Sequence, residues 1–431
     1  MNVINRLLGF LMMLLPVLTH AQEKISIVQL FDSLKVNPVS VSSQIAADKT
    51  LQYKKIATGT LWPDVYAFGK YDYSDSPNGM LPVPPNELIM MVQNPLVAQP
   101  FSENILRGGV HVSMPLFVKS IYSMVAKAQI MYEAATLKAE IDLQKNEAII
   151  VGANANFVYI QNLEKAIQSK RKSLEKMQEL VQVKVNNGRA PESALLLLNT
   201  NINELELNLA QLQMNKEKVR ATIYTLTNVQ LDSAVSLTKN AEFQNGDFVV
   251  LKPMEKMIDA QRLNARAEQE KLYPALFAQA NYVHNNGKSY NNNQTVNNDF
   301  TTAGLTLKIP IFQKSQYSKI KLGNIEVKEK ENELEKMRME ITAEAGQLSK
   351  SLTILNHSID LNRSSIQSKQ QLLDIAKKSY SMDRLTIEDY LKYEDDLLFE
   401  KAKLYQTQAE KWQTLMKLAV IYGNNIENLV K

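Results

Sequence analysis

Cysteine is absent from all 431 residues. The chain therefore forms no disulfide, offers no thiolate to a metal and carries no catalytic thiol, and no lipid is attached through an N-terminal cysteine. Histidine is almost as scarce. His20, His111, His284 and His357 stand far apart with no partner at ligand spacing, which argues against a metal centre. No glycine-rich loop of phosphate-binding spacing occurs. Basic and acidic residues nearly balance, 49 against 45, and no basic cluster with interleaved aromatics points to nucleic acid. Acid-rich stretches such as Asp395-Asp396 and the run from Glu326 to Glu340 read as the solvated face of helices. The sequence thus gives no reason to expect an enzyme or a cofactor.

Long apolar runs are missing too, apart from one at the start. Arg6 is the only early charge, Leu7 to Leu18 is almost wholly apolar, and Thr19-His20-Ala21 supplies small residues at the outer positions of a cleavage site. This is the layout of an export signal and is too short for a spanning helix, which needs about 20 residues. Residues 1–21 are expected to be removed, leaving Gln22 as the N-terminus. If the exported chain enters a membrane, it must do so as a β-barrel, since nothing after the signal is apolar enough for a membrane helix.

Proline is absent from two long stretches, between Pro115 and Pro191 and after Pro310. A helix-interior proline costs about 3 kcal/mol, so these stretches permit uninterrupted helix. They belong to a tandem duplication. Leu61-Trp62-Pro63-Asp64-Val65-Tyr66-Ala67-Phe68 returns as Leu272-Tyr273-Pro274-Ala275-Leu276-Phe277-Ala278-Gln279, and Met114-Pro115-Leu116-Phe117 returns as Ile309-Pro310-Ile311-Phe312. A weaker echo pairs Gly188-Arg189-Ala190-Pro191 with Asp383-Arg384-Leu385-Thr386. Pro115 to Arg189 and Pro310 to Arg384 are both 74 positions apart, whereas Pro63 to Pro115 spans 52 and Pro274 to Pro310 spans 36. A segment that keeps its length is a rigid element, and one that accepts 16 extra residues is a loop.

Within the rigid segments Leu198, Ile202, Leu205, Leu209, Leu212, Val219, Ile223 and Leu226 recur at spacings of three and four, and Leu334, Met337, Ile341, Leu348, Leu352, Leu355 and Ile359 do so in the second copy. These are coiled-coil seams. The expected order is a first repeat over 22–228, with strands near 62–73 and 104–114 and long helices near 116–187 and 191–228. A linker at 229–252, the main source of any equatorial domain, precedes a second repeat over 253–431, with strands near 273–283 and 300–309 and helices near 311–382 and 387–422. Pro38 breaks the first short helix and Pro253 opens the second. Pro191 suits the first turn of a returning helix, and Thr386 with Asp389 has the spacing of an N-cap and its third-residue partner.

The strands alternate. Gly108, Val110, Val112 and Met114 share one face against Arg107, Gly109, His111 and Ser113, as Ala303, Leu305, Leu307 and Ile309 do against Thr302, Gly304, Thr306 and Lys308. A half-buried sheet in a soluble domain fits alternation alone. Strand length near ten residues and the aromatics Trp62, Tyr66, Phe68, Tyr71, Tyr73, Tyr273, Phe277 and Tyr282 point instead to a membrane barrel with an interfacial girdle. Four strands cannot close such a barrel, since about eight is the minimum, so the subunit must oligomerise. The intervening segments, proline-rich from Ser74 to Glu103 and asparagine-rich from His284 to Asp299, suit hydrated loops.

The signal, the tandem helix–strand–strand–helix units, the Pro-Leu-Phe and Pro-Ile-Phe junctions and the turn followed by Asp389-Tyr390-Leu391 resemble the TolC-type outer-membrane efflux proteins over essentially the whole mature chain. Two departures are Asp383, where the second turn commonly has glycine, and the loosely matching Leu251-Lys252-Pro253. The resemblance implies a mainly α fold with a membrane β-barrel: four strands per subunit, a twelve-stranded barrel and an α-helical tunnel shared by a homotrimer. It further implies a passive exit duct in the outer membrane of a Gram-negative bacterium, in contact with outer-membrane lipid. An inner-membrane pump and a periplasmic adaptor would supply energy and cargo. A periplasmic adaptor or a structural coiled-coil protein are the competing readings. The resemblance also places Tyr380 and Asp389 at a periplasmic constriction, with Arg189, Arg384 and Lys392 brought near them. Asp389 could equally serve only to start its helix.

Overall fold

The computed structural model describes residues 25–431; the expected signal, residues 1–21, lies outside them. The described chain runs α1 (Ile27–Lys35), α2 (Pro38–Gly59), β1 (Asp64–Gly79), α3 (Pro85–Gln93), β2 (Phe101–Phe117), α4 (Lys119–Asn186), α5 (Glu192–Thr227), α6 (Lys252–Glu270), β3 (Ala275–Lys288), β4 (Thr295–Lys308), α7 (Lys314–Ser381), α8 (Ile387–Tyr422) and α9 (Ile426–Leu429). The duplication is preserved in element length. α4 and α7 each have 68 residues, and α5 and α8 each have 36. Pro191 stands at the N-cap of α5, just before the first turn where the sequence set it; either place spares a backbone N–H that has no intrahelical partner.

Two compact units cut across the repeats, each taking pieces of both. Among the described residues the first comprises the chain up to Val41, Asp142–Asp247 and Ala343–Lys431. Its core is one apolar cluster to which α1 contributes Ile27, Leu30, Phe31 and Leu34, all 0–1% exposed. The α5 seam is inside it: Leu198, Leu205, Leu212, Val219, Ile223 and Leu226 are buried. The α7 seam is not. Ile359 is buried, Leu348, Leu352 and Leu355 are half-buried, and further up the helix Met337 is 39% exposed. A regular apolar stripe left half bare on a helix calls for another helix to cover it.

The linker after α5 is pinned to this unit. Buried Asn154 donates to the Val235 carbonyl (2.8 Å) and accepts from the Val235 N–H (2.9 Å), which satisfies both ends of its amide. The C-terminal residues join the linker, beyond the 229–252 segment that the sequence assigned to this role. Lys239 bridges Val430, and Thr238 exchanges backbone hydrogen bonds with Lys431 at 2.7 and 3.0 Å.

The second unit comprises Ser42–Ile141 and Phe248–Thr342. Its antiparallel sheet has the order β1-β2-β3-β4. The register aligns side chains of one parity across it: Val65, Val112, Ala280 and Ala303 fall in one row, and Ala67, Val110 and Tyr282 in the next. This apolar face is bare, with Val65, Leu106, Leu305 and Leu307 57–70% exposed. The other face carries Asp72, Arg107, His111, Asn281 and Asn285. Arg107 donates to Asp72 (2.9 Å) and to Asn285 (3.1 Å), and His111 meets Asn281. β1 and β4 each pair on one side only, so both sheet edges are open.

The strands have 14 to 17 residues and run on into segments that composition marks as hydrated loop. Asn285 and Asn286 pair with Asn298 and Asn297, leaving only 289–294 as the β3–β4 turn. That turn grips the proline-rich segment. The Asn291 amide donates to the Val97 carbonyl at 2.9 Å, Ser289 Oγ donates to the Gln99 carbonyl at 2.7 Å, and the Tyr290 N–H reaches the Phe101 carbonyl at 2.9 Å. Proline leaves backbone carbonyls without local donors, and asparagine amides supply them.

Candidate functional site

The residues singled out at the helical turns all lie in the first unit. Each long helix ends in the same way. Gly188 is left-handed (φ 66°), and the Arg189 N–H reaches back to the Lys184 carbonyl at 2.8 Å. Asp383 is left-handed (φ 56°), and the Arg384 N–H reaches back to the Ser379 carbonyl at 2.9 Å. This is the helix-terminating motif that glycine serves without strain. Asp383 adopts it with a side chain, and that side chain has work to do.

Lys184, in the last turn of α4, forms an ion pair with the Asp383 carboxylate. The same ammonium donates to the Tyr380 carbonyl (3.3 Å) and lies 4.5 Å from the centre of the Tyr380 ring. One lysine thereby joins the end of α4 to the turn between α7 and α8 through charge, hydrogen bond and cation–π contact. Lys184 first, and Arg189 more weakly, hold the Asp383 carboxyl below the ordinary range of an aspartate. Burial, and secondarily Asp383, push the Tyr380 hydroxyl upward.

Beneath the turns the contact continues. The Tyr380 and Tyr390 rings are 6.0 Å apart. Tyr390 is fully buried, and its hydroxyl donates to Glu394 at 2.6 Å. Ser173 on α4 donates to the same carboxylate oxygen, also at 2.6 Å. Burial and the bond to Glu394 raise the Tyr390 hydroxyl well above its usual range. One turn further along α4, Lys170 pairs with Asp395.

Of the expected residues, Tyr380 is central and buried, and Arg189 sits close enough to Asp383 to act on its charge. Arg384 and Lys392 are exposed and take no part in these ion pairs. Asp389 is occupied with its own helix start. Its backbone N–H donates to Thr386 Oγ1 (3.1 Å), and that hydroxyl donates to the Asp389 carboxylate (2.9 Å). Lys184, Ser173 and Glu394 escaped sequence reading, and Tyr390 entered it only as a member of the Asp389-Tyr390-Leu391 motif. The signal for Lys184 was available: the acid at the left-handed position of one turn has a basic residue in the last helical turn before the other.

Among the described residues no group of three His, Asp or Glu is placed to hold a metal, and no helix is long and apolar enough to cross a membrane.

Residues 250–424 match the sequence model of a family described as outer membrane efflux protein. No curated protein matches by sequence. Solved structures share the fold at low identity. The CmeC outer membrane channel of Campylobacter jejuni superposes with TM-score 0.76 at 15% identity, over 92% of this chain and 84% of that one. The outer membrane protein VceC of Vibrio cholerae gives 0.76 at 13%, over 93% and 96%. The MtrE outer membrane channel of Neisseria gonorrhoeae, in its open state, gives 0.76 at 14%, over 94% and 90%.

Proposed function

We infer that this chain, an outer-membrane efflux protein by the family of its second repeat and by its fold, is one of three identical subunits of a passive exit duct. The observation that carries this reading is the sheet. One face is apolar and bare, the other is polar and knitted by hydrogen bonds, and both edges lack partners. A bare apolar face suits lipid. Open edges demand neighbours, and three copies of four strands give twelve, enough to close a water-filled barrel. The half-bare α7 seam fits the same scheme, with helices of adjacent subunits packing into a periplasmic tunnel. A periplasmic adaptor or a simple coiled coil accounts for the helices and leaves the exposed sheet face unexplained.

The duct performs no chemistry of its own. Transport energy and cargo selection belong to an inner-membrane pump joined through a periplasmic adaptor. At rest, contacts at the helical turns hold the periplasmic end closed. The Lys184–Asp383 pair and the Ser173–Glu394 hydrogen bond latch α4 to the α7–α8 hairpin, the Tyr380–Tyr390 contact joins α7 to α8, and three Asp389 carboxylates give the mouth a mild preference for cations. Arg189, Arg384 and Lys392 temper that field.

The reading is tested by separating cell envelopes and reconstituting the purified protein in planar bilayers. The protein should partition with the outer membrane, resist carbonate extraction and form ion-conducting channels. Recovery from a soluble periplasmic extract, or silent bilayers, would contradict it.

A further inference from the structure

The two repeats match in their long helices and differ in the strand-to-strand connection. In the second repeat this is the short turn 289–294; in the first it is 80–100 and contains α3. Nothing in the export reading uses this addition. α3 has no buried residue, and Ile89, Met90, Val92 and Leu96 are 58%, 63%, 60% and 82% exposed. A cluster of bare aliphatic side chains at a water-filled mouth needs a partner.

The segment does not hang free. Met80 and Pro100, at its two ends, are buried and joined by a backbone hydrogen bond of 2.9 Å. Its return limb is held by Ser289 and Asn291, as described above. The side on which it folds is also defined. A Cβ on Gly287 would meet the Met80 methyl at 2.9 Å and Ser102 Oγ at 3.1 Å, and Arg107 donates to the Gly79 carbonyl at 2.9 Å. Gly287 and Arg107 belong to the polar face of the sheet. On that face Ile105 and Asn285 are 1% and 0% exposed, while Leu106 on the other face stays 57% exposed. The two ends of the inserted segment therefore leave the sheet on its polar side, which is the inside of the duct.

Charge narrows the choice of partner. Between Lys70 and Arg107 there is no lysine or arginine, only Asp72, Asp75, Glu87 and Glu103. Such a surface does not attract lipid phosphates or other anions. A segment that leans over the duct in one subunit does so in all three, which brings the α3 copies toward a common axis. We propose that α3 is a lid, and that its three copies meet through Ile89, Met90, Val92 and Leu96 to close the outer mouth of the duct. The proposal rests on the trimeric reading.

The absence of cysteine makes the test clean. In purified wild-type-like trimers in nanodiscs, Met90→Cys should form inter-subunit disulfides on mild oxidation and should resist a bulky polar maleimide. The double variant Ile89→Asp/Met90→Asp should keep its trimer mass and show single-channel conductance raised at least twofold. Trimers in which Cys at position 90 neither cross-links nor resists the maleimide, with conductance unchanged in the Asp variant, would overturn the lid and leave the duct standing. Such a patch would be open to lipid or to another protein. A wild-type protein that is not a trimer would overturn both.

Discussion

Lys184 and Asp383, 199 residues apart in the chain, form an ion pair between the last turn of α4 and the left-handed residue that ends α7. Position 188, the equivalent of Asp383 in the first repeat, is glycine. A side chain at such a position costs about 1 kcal/mol against glycine, so the aspartate is explained by what its carboxylate does.

Removing either charge should loosen the latch. One exposed pair contributes little by itself, but three in one channel multiply to a several-fold shift between closed and open. Lys184→Met and Asp383→Asn should each raise open probability in bilayers by about that factor, and the reversal Lys184→Asp with Asp383→Lys should restore closure in part. Asp383→Gly separates the two effects, since it relieves the backbone and still removes the charge. If all variants open as the wild type does, the pair is an ordinary surface contact.

The two seams should respond differently to the same substitution. Leu205 is 3% exposed within the subunit, and an unpaired buried carboxylate there costs several kcal/mol, so Leu205→Asp should prevent the subunit from folding. Leu352 is only half-buried. Leu352→Asp should leave helical circular dichroism intact and lower trimer yield. Normal trimer yield for Leu352→Asp would mean that this stripe has no neighbouring helix.

Thr386 caps α8, and its replacement by alanine should cost about 1 kcal/mol, read as a lower thermal midpoint. Asp389→Asn keeps an acceptor for that hydroxyl. If the Asp389 ring tunes ion passage, Asp389→Asn should lower cation selectivity with stability nearly unchanged. Unchanged selectivity would assign Asp389 to the helix start alone.

Glu147 on α4 is 4% exposed, and burial, followed by the nearby Glu427, raises its carboxyl to about 7 against an opposing pull from Lys35. Between the ordinary glutamate range and pH 7 the folded chain keeps a proton that the unfolded chain has lost. Stability should therefore be greatest below about pH 4.5 as far as this group is concerned and should fall as pH rises through 7, by about 3 kcal/mol in all. Glu147→Gln should flatten that slope and raise the thermal midpoint at pH 8. A wild-type midpoint that does not fall between pH 5 and 8 relative to the Gln variant would contradict the assignment.

Much of the fold was legible because its signals are local and periodic. Proline-free stretches, the 74-residue spacing and the Leu198–Leu226 stripe each reflect one helix meeting one requirement. The strand ends were read short because asparagine and glycine look like loop. Asn285 and Asn286 enter the ladder only because Asn298 and Asn297 face them. The grip of Asn291 on Val97, across 194 residues, has no local trace, and neither has the Lys184–Asp383 pair. Asp389 illustrates the converse. Its spacing from Thr386 revealed the cap, a contact three residues long, while any role in a ring depends on other subunits.

Native mass measurement of the protein extracted from the outer-membrane fraction in mild detergent tests the central claim most directly. A shared barrel closed by four strands from each subunit requires a particle of three chains. A dominant monomer or dimer would contradict it.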